Sequence, residues 1–576
     1  MRVLSRNPGS ASATRIPAYG IILFVALAAF WGIHGLTRGV EHLGGDQHLN
    51  LVLVLEGEDP TLFSRDLVFG GQDVTSEYIP LYIGFLRLAY RVFGDLATGY
   101  KLLVFPLTIL YLCGAYFVFL RCCRMPGVAV ALAVFSSFLQ SVPLAEEFFG
   151  VGPIGWVVAR TIMTSAFPFL FLAFSSWIDR PRKLLLVFLA IGLLANVHPV
   201  SSLDVAAFLG ITYLLEMGGS LRSWGILAGM GGATLVGAAP IFWAQLHHMA
   251  KQTAVAQRPE GTLVARIVKE HLGFILYPPP TFSSLAPVVV HGLTLALMAF
   301  SVVVVAPGWH GRRESIERWA CLVAAGSVAY LLFPEARLLC TVLVFMLLLP
   351  QKGTGPREGR LGVYLSLAVF WVTLGELIAF QFGPPMLQRP SLSIIFTRGA
   401  RFAVFALFLL LALAVRLADW SRVRGVPNMA LITLILLTGV WQVRHTVRTH
   451  LRTRGNVAAA DLAALSKWAR EETGPQDLFL FDSAAFRVMA RRALVFTTKD
   501  HGPIIFNRPD RAGAWLEREE ALRAAGADPR ALVRLGVRYG AQFVVIPAAS
   551  IREAKPANVR YANGTYVVLA TGVVFP

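Results

Sequence analysis

Residues 17–48 read PAYGIILFVALAAFWGIHGLTRGVEHLGGDQH, and this stretch decides the fold. From Pro17 to Leu36 there is no acid, lysine or arginine. Such a run spans the ~30 Å hydrocarbon core of a bilayer as a helix. Arg2, Arg6 and Arg15 precede it. The run is long for a signal sequence and no A-x-A-like cleavage site follows, so it is expected to be a retained first span. Polar residues return at once beyond it, as Glu41-His42 and Gly44-Gly45-Asp46-Gln47-His48.

The rest of the chain repeats this character. Of 576 residues, 56% are hydrophobic and 15% charged, and the mean hydropathy is +0.61. Soluble domains are closer to half apolar and a quarter charged. A soluble globular enzyme, a disordered chain and a disulfide scaffold are all excluded. The composition predicts an α-helical polytopic membrane protein. About 13 spans are expected, near 17–38, 99–120, 126–145, 154–178, 183–198, 200–217, 223–245, 285–307, 317–333, 336–350, 361–382, 396–418 and 427–443.

The net charge of +18 and the pI near 10.1 do not indicate nucleic acid, because the cations sit in short loops. Arg121/Arg124, Arg180/Arg182/Lys183, Arg222, Arg312/Arg313, Lys352/Arg357/Arg360 and Arg422/Arg424 fall on one side, whereas the intervening short loops hold Arg389 alone. Cytoplasmic loops are enriched in this way. The N-terminus is therefore expected inside the cytoplasmic membrane of a bacterium, with three longer segments outside: 39–98, 246–284 and the region from 449.

The first outer loop contains Tyr78 to Phe93, an apolar helix with Arg87 and Arg91 one turn apart. It is expected to lie in the interface with both cations at headgroups. The second has an amphipathic stretch, Thr262 to Phe274, stopped by Pro278-Pro279-Pro280. The composition divides the chain into a membrane domain, 1–448, and an extracytoplasmic α/β domain, 449–576. In the latter, helices are expected over 457–472, 511–525 and 529–536. Strands are expected over 478–481, 493–497, 543–546 and 566–569, with a hairpin turn at Asn563-Gly564. The five cysteines, Cys113, Cys122, Cys123, Cys321 and Cys340, lie in or beside apolar spans without metal spacing.

The residues able to carry chemistry gather on the outer side. Asp46 follows the first span, and a carboxylate held there is costly unless it works, is paired or caps a helix. Glu146 and Glu147 stand together in the short loop after the third span, where paired acids raise each other's pKa or hold a cation. Asp59 and Asp66 are further acids in the first loop. His198, before Pro199, either contacts phosphate or caps a helix. Arg337, in Pro334-Glu335-Ala336-Arg337, and Arg398 stand at outer span ends, where arginine grips phosphate or snorkels. Arg160 lies a turn or two inside the fourth span, where an arginine faces the bundle interior and a partner. No nucleotide-binding loop, nucleophile elbow or HExxH zinc motif occurs.

Taken together, these features resemble the GT-C superfamily of integral membrane glycosyltransferases. The likeness rests on the inside N-terminus, the long first outer loop and Asp46 after span one. It rests further on Glu146-Glu147 after span three and on an outer C-terminal domain. The resemblance implies transfer of a sugar from a polyprenyl-phosphate carrier to an extracytoplasmic acceptor by inverting displacement. It implies Asp46 as base, Glu146 or Glu147 as acceptor or metal contact, and Arg337 with His198 at the phosphate, where Arg160 and Arg398 also serve. The cofactor stays open, a divalent cation being one option. The second outer loop lacks an Asp-x-Asp and the chain lacks a W-W-D-type motif, so the acceptor is open. A secondary transporter or flippase predicts inverted repeats, which are absent from the sequence. A non-enzymatic envelope scaffold predicts that the acids are dispensable.

Overall fold

The computed structural model describes residues 15–70, 79–138, 140–142, 147–243, 260–267, 270–271, 357, 359–369, 371–373, 399, 401–417, 457–506, 508–551 and 558–572. Expected spans 285–307, 317–333, 336–350 and 427–443 lie outside these residues.

Helix α1 (Ala18–Leu36) shows how the membrane half is built. Gly20, Phe24, Ala28, Trp31 and Gly35 form a buried stripe at helical spacing. They pack on α4 (Thr98–Cys123), where Phe24 meets Tyr116 edge-on at 6.1 Å. The opposite face leaves Ile22, Val25, Ile33 and Leu36 exposed. Apolar faces of this size need lipid rather than water. Among the described residues α1, α4 and α8 (Pro199–Met217) are long and apolar enough to cross a membrane. The protein is an integral membrane protein.

Between α1 and α4 lie two further helices, α2 (Gly45–Glu58) and α3 (Pro80–Phe93). Helix α3 buries Tyr82, Ile83, Leu86 and Ala89 and exposes Leu81, Leu88, Val92 and Phe93, so it has an apolar face on either side. Its arginines differ from expectation. Arg87 and Arg91 both bond Glu58 at the end of α2, so their charges are spent within the protein.

The third span also differs. Helix α5 (Pro126–Ser137) stops early, because a polar run begins at Ser136 and the Ser136 and Ser137 hydroxyls bond back to the Ala133 and Val134 carbonyls. The short antiparallel strands β1 (Gln140–Val142) and β2 (Glu147–Phe149) follow. Helices α6 (Ala159–Trp177), α7 (Pro181–Ala195) and α9 (Leu221–Gly237) form where the segments 154–178, 183–198 and 223–245 are expected to be helical. Helix α10 (Glu260–Ile267) falls in the second outer loop and α11 (Phe402–Leu417) in the membrane half. Phe402 and Phe405 of α11 meet Phe149, Phe167, Phe208 and Phe119 in one aromatic cluster. It ties β2, α6, α8 and α4 together.

The C-terminal domain opens with α12 (Val457–Glu472). Its sheet runs β4 (Ala493–Leu494), β3 (Leu478–Leu480), β5 (Phe543–Pro547), β7 (Tyr566–Ala570), β6 (Val559–Ala562). The first three strands are parallel and the last two antiparallel to their neighbours. The expected turn before β7 is present: Asn563 Oδ1 accepts the Thr565 and Tyr566 amides at 3.1 and 2.8 Å. Helices α13 (Ala484–Ala490), α14 (His501–Phe506), α15 (Ala512–Ala525) and α16 (Pro529–Arg538) flank the sheet. Helices α13 and α14 and strand β6 were not foreseen. They are short, and their form depends on tertiary packing.

The segment between α2 and α3 and helix α10 both grip this region. Arg65 bonds Gln476, Gly540 and Gln542, and Arg266 of α10 bonds Glu520 of α15 at 2.6 Å. The principal tie is buried. Arg487 of α13 lies between Asp66 of the first loop (2.9 Å) and Asp500 (2.7 Å), with all three side chains at 0% exposure. The Val68 and Leu494 amides also bond the Asp66 carboxylate. Burial pushes the Asp66 carboxyl up, against the pull of Arg487 and these amides. Removing one partner of such a group leaves uncompensated buried charge, at a cost of about 3–5 kcal/mol. Arg487→Met is therefore expected to lower the full-length protein's unfolding midpoint and to open the 473–477 region to protease. An unchanged midpoint and cleavage pattern would refute this role.

Candidate functional site at the start of α2

The start of α2 is held by a side chain three residues in. Gln47 Oε1 accepts the Gly44 amide at 2.7 Å, while its Nε2 donates to the Ile154 and Val157 carbonyls at 2.8 and 2.9 Å. The Tyr82 hydroxyl donates to the same Val157 carbonyl, and the Tyr100 hydroxyl to the Gln47 carbonyl. The Leu81 amide reaches the Asn196 carbonyl in the α7–α8 turn. The start of α2, helices α3 and α4, the turn before α6 and the end of α7 are thus knitted by hydrogen bonds.

Gly44 is the N-cap of α2, so Asp46 is not the cap. Its carboxylate is free of that duty, 59% exposed, with Arg160 Nη2 at 3.9 Å. Arg160 is shallower than expected, because α6 starts at Ala159 after a 3-10 turn over Ile154–Trp156, which puts it in the first helical turn.

The two glycines before Asp46 serve the protein's own packing. A Cβ on Gly44 would meet the Gly155 carbonyl at 3.0 Å, and one on Gly45 would meet Lys499 Cε at 2.6 Å. Lys499, in the 3-10 turn Thr498–Asp500, thus lays its stem across the start of α2. His501 follows. Its ring stacks on that of His271 at 5.8 Å and bonds the Thr498 carbonyl.

The other expected site residues are distributed as follows. His198 is the N-cap of α8, its Nδ1 accepting the Ser201 amide at 3.1 Å. Glu147 opens β2, and its side chain lies outside what is described. Glu146, Arg337 and Arg398 lie outside the described residues. Asp59 bonds the Thr61 amide and hydroxyl, and Asp66 is the buried partner of Arg487. Among the described residues Glu270, His271 and Glu519 bring possible metal ligands within 4.8 Å. Arg266 bonds Glu270 and Arg523 bonds Glu519, at 2.7 and 2.8 Å. These acids are neutralised by arginine, and the cluster reads as an ion-pair network.

Lys499 and His501 were missed in the sequence. The signal available was their place after β4, since loops beyond the carboxyl ends of parallel strands commonly carry binding groups.

No protein-family model matches the chain, and no curated protein matches it. Among solved structures it is similar to ArnT from Cupriavidus metallidurans, crystallised with undecaprenyl phosphate. That likeness has 14% identity and a TM-score of 0.38, covering 96% of this chain and 98% of that one.

Burial holds the His501 pKa below its ordinary value of 6.5; Lys499 and His271 add to this, while the Thr498 carbonyl and Asp46 oppose it. The unfolded chain therefore takes up a proton that the folded chain resists. The resulting stability is present above pH 6.5 and is lost as pH falls below it. Thermal unfolding is expected to weaken from pH 7 to pH 5, and His501→Gln should flatten that slope. An identical slope in the variant would exclude the effect.

Proposed function

We propose that the protein is an integral membrane glycosyltransferase. It transfers a sugar from a polyprenyl-phosphate carrier to an acceptor on the extracytoplasmic face. The observation that carries this reading is the exposed Asp46 carboxylate beyond the first span, uninvolved in capping and 3.9 Å from Arg160. An acid beside a cation at the membrane surface suits deprotonation of an acceptor next to a phosphate leaving group.

In this reading Asp46 accepts the proton of the acceptor hydroxyl. The acceptor oxygen attacks the anomeric carbon from the face opposite the carrier. The bond from that carbon to the phosphate oxygen breaks, and its electron pair leaves with the polyprenyl phosphate. Arg160 stabilises the charge that develops there, as positioned cations do, with Arg337, Arg398 and His198 as further phosphate contacts. A phosphate leaving group needs no general acid. Glu146 or Glu147 contacts the acceptor or a divalent cation. Topologically, the N-terminus is cytoplasmic and residues 449–576 are extracytoplasmic.

Asp46→Asn keeps the shape of the side chain but cannot take up a proton. Sugar transfer from a polyprenyl-phosphate donor is expected to fall about 10²–10⁴-fold, with the unfolding midpoint unchanged. Wild-type transfer by the variant would sink the catalytic assignment in favour of a scaffold. Topology is checked separately with alkaline phosphatase fused after residue 450 or in the loop 121–125. Activity is expected only from the first fusion, and the reverse pattern would invert the reading.

A further inference from the structure

We infer that Gln47 is the positioning residue of the site at Asp46. Its side chain fixes the start of α2, and with it the Asp46 carboxylate, against the turn that leads into Arg160. That the acid placed in this way acts as a base rests on the glycosyltransferase reading above.

The chemistry of the side chain comes first. Gln47 is fully buried. A neutral amide carries two donor hydrogens and an acceptor oxygen in one plane. All are used. Oε1 accepts the Gly44 amide of its own helix, and Nε2 donates to the Ile154 and Val157 carbonyls, 107 and 110 residues further along the chain. The backbones also meet here. A Cβ on Gly44 would lie 3.0 Å from the Gly155 carbonyl, and one on Gly155 would lie 3.1 Å from the His42 carbonyl. Two glycines let the turns touch, and one amide clasps them together.

The placement of the acid follows. Asp46 immediately precedes Gln47, in the first turn of α2. Arg160 comes three residues after Val157, in the first turn of α6. Their side chains lie 3.9 Å apart. Gln47 acts on both through the backbone that carries them. In a reacting site a displacement of about 1 Å costs on the order of 10²-fold in rate.

A purely local role for Gln47 would be to cap α2, since a glutamine or glutamate at the third helical position commonly bonds back to the N-cap amide. Two substitutions separate the roles. Gln47→Glu keeps the acceptor for the Gly44 amide and loses both donors, whereas Gln47→Met keeps the length and loses every bond. Glu58→Gln, which removes the ion pairs with Arg87 and Arg91 at the far end of α2, is the structural comparison.

Placement is read in full-length protein in lipid nanodiscs by joining Asp46→Cys to Arg160→Cys with dibromobimane, the joined peptides being identified by mass spectrometry. Gln47→Glu and Gln47→Met are each expected to slow this cross-linking several-fold. In the otherwise native chain each is expected to lower kcat for sugar transfer from a polyprenyl-phosphate donor on the order of 10²-fold, with donor KM unchanged. Glu58→Gln should leave both readouts at the wild-type level, and an equal loss there would reduce the effect to general stability and overturn the proposal. Wild-type cross-linking in both Gln47 variants overturns it and leaves the glycosyltransferase reading standing. Wild-type cross-linking in Gln47→Glu alone makes Gln47 a cap only, and slowed cross-linking with wild-type kcat removes the positioning role. If cross-linking slows but the wild type transfers no sugar, the placement stands and the glycosyltransferase reading falls.

Discussion

The arrangement depends on one buried cation. Arg487 sits with no solvent exposure between Asp66 and Asp500, its face also 5.1 Å from the Phe69 ring. The three charged residues come from distant parts of the chain. Asp66 belongs to the loop between α2 and α3, and the others to the C-terminal domain. Charges at that depth are tolerated only when each is paired, so the contact forms completely or not at all. Its consequence is positional. It sets the loop between α2 and α3 against the turn at 498–500, and with it the start of α2 against Lys499.

Beneath this joint the membrane half uses other forces. Lipid gives apolar helices no hydrophobic reason to associate, so close packing must hold them together. Close approach at Gly20 and Gly35 of α1 and the phenylalanine cluster around α11 supply it. Around the start of α2 the chain changes means. Gln47, Tyr82, Tyr100 and Asn196 satisfy backbone groups of neighbouring segments, which makes a stiff hydrogen-bonded floor. Asp46 rises from that floor, held by backbone contacts and free of any capping role.

Local chemistry made much of this legible. The run from Ala18 to Leu36 has one stable form in a bilayer, because every backbone group must be satisfied within the segment. Helix α12 and strands β5 and β7 were legible from periodicity, and Asn563-Gly564 from turn chemistry. Asp46 stood out because a carboxylate just beyond a span demands a reason. Its environment was not legible. Arg160 gave no sign of its depth, which follows from a 3-10 turn that delays α6. Nothing local marked Asp66 as the buried partner of an arginine in another domain.

By itself the sequence determined that α1, α4 and α8 are long apolar helices and where α12, β5 and β7 fall, because these follow from hydropathy and periodicity a few positions apart. Only the tertiary structure decided which cations meet Asp46. Arg160 approaches it from α6, and the stem of Lys499 lies against the neighbouring Gly45. Such a contact depends on the relative placement of two packed bodies, which no local pattern encodes.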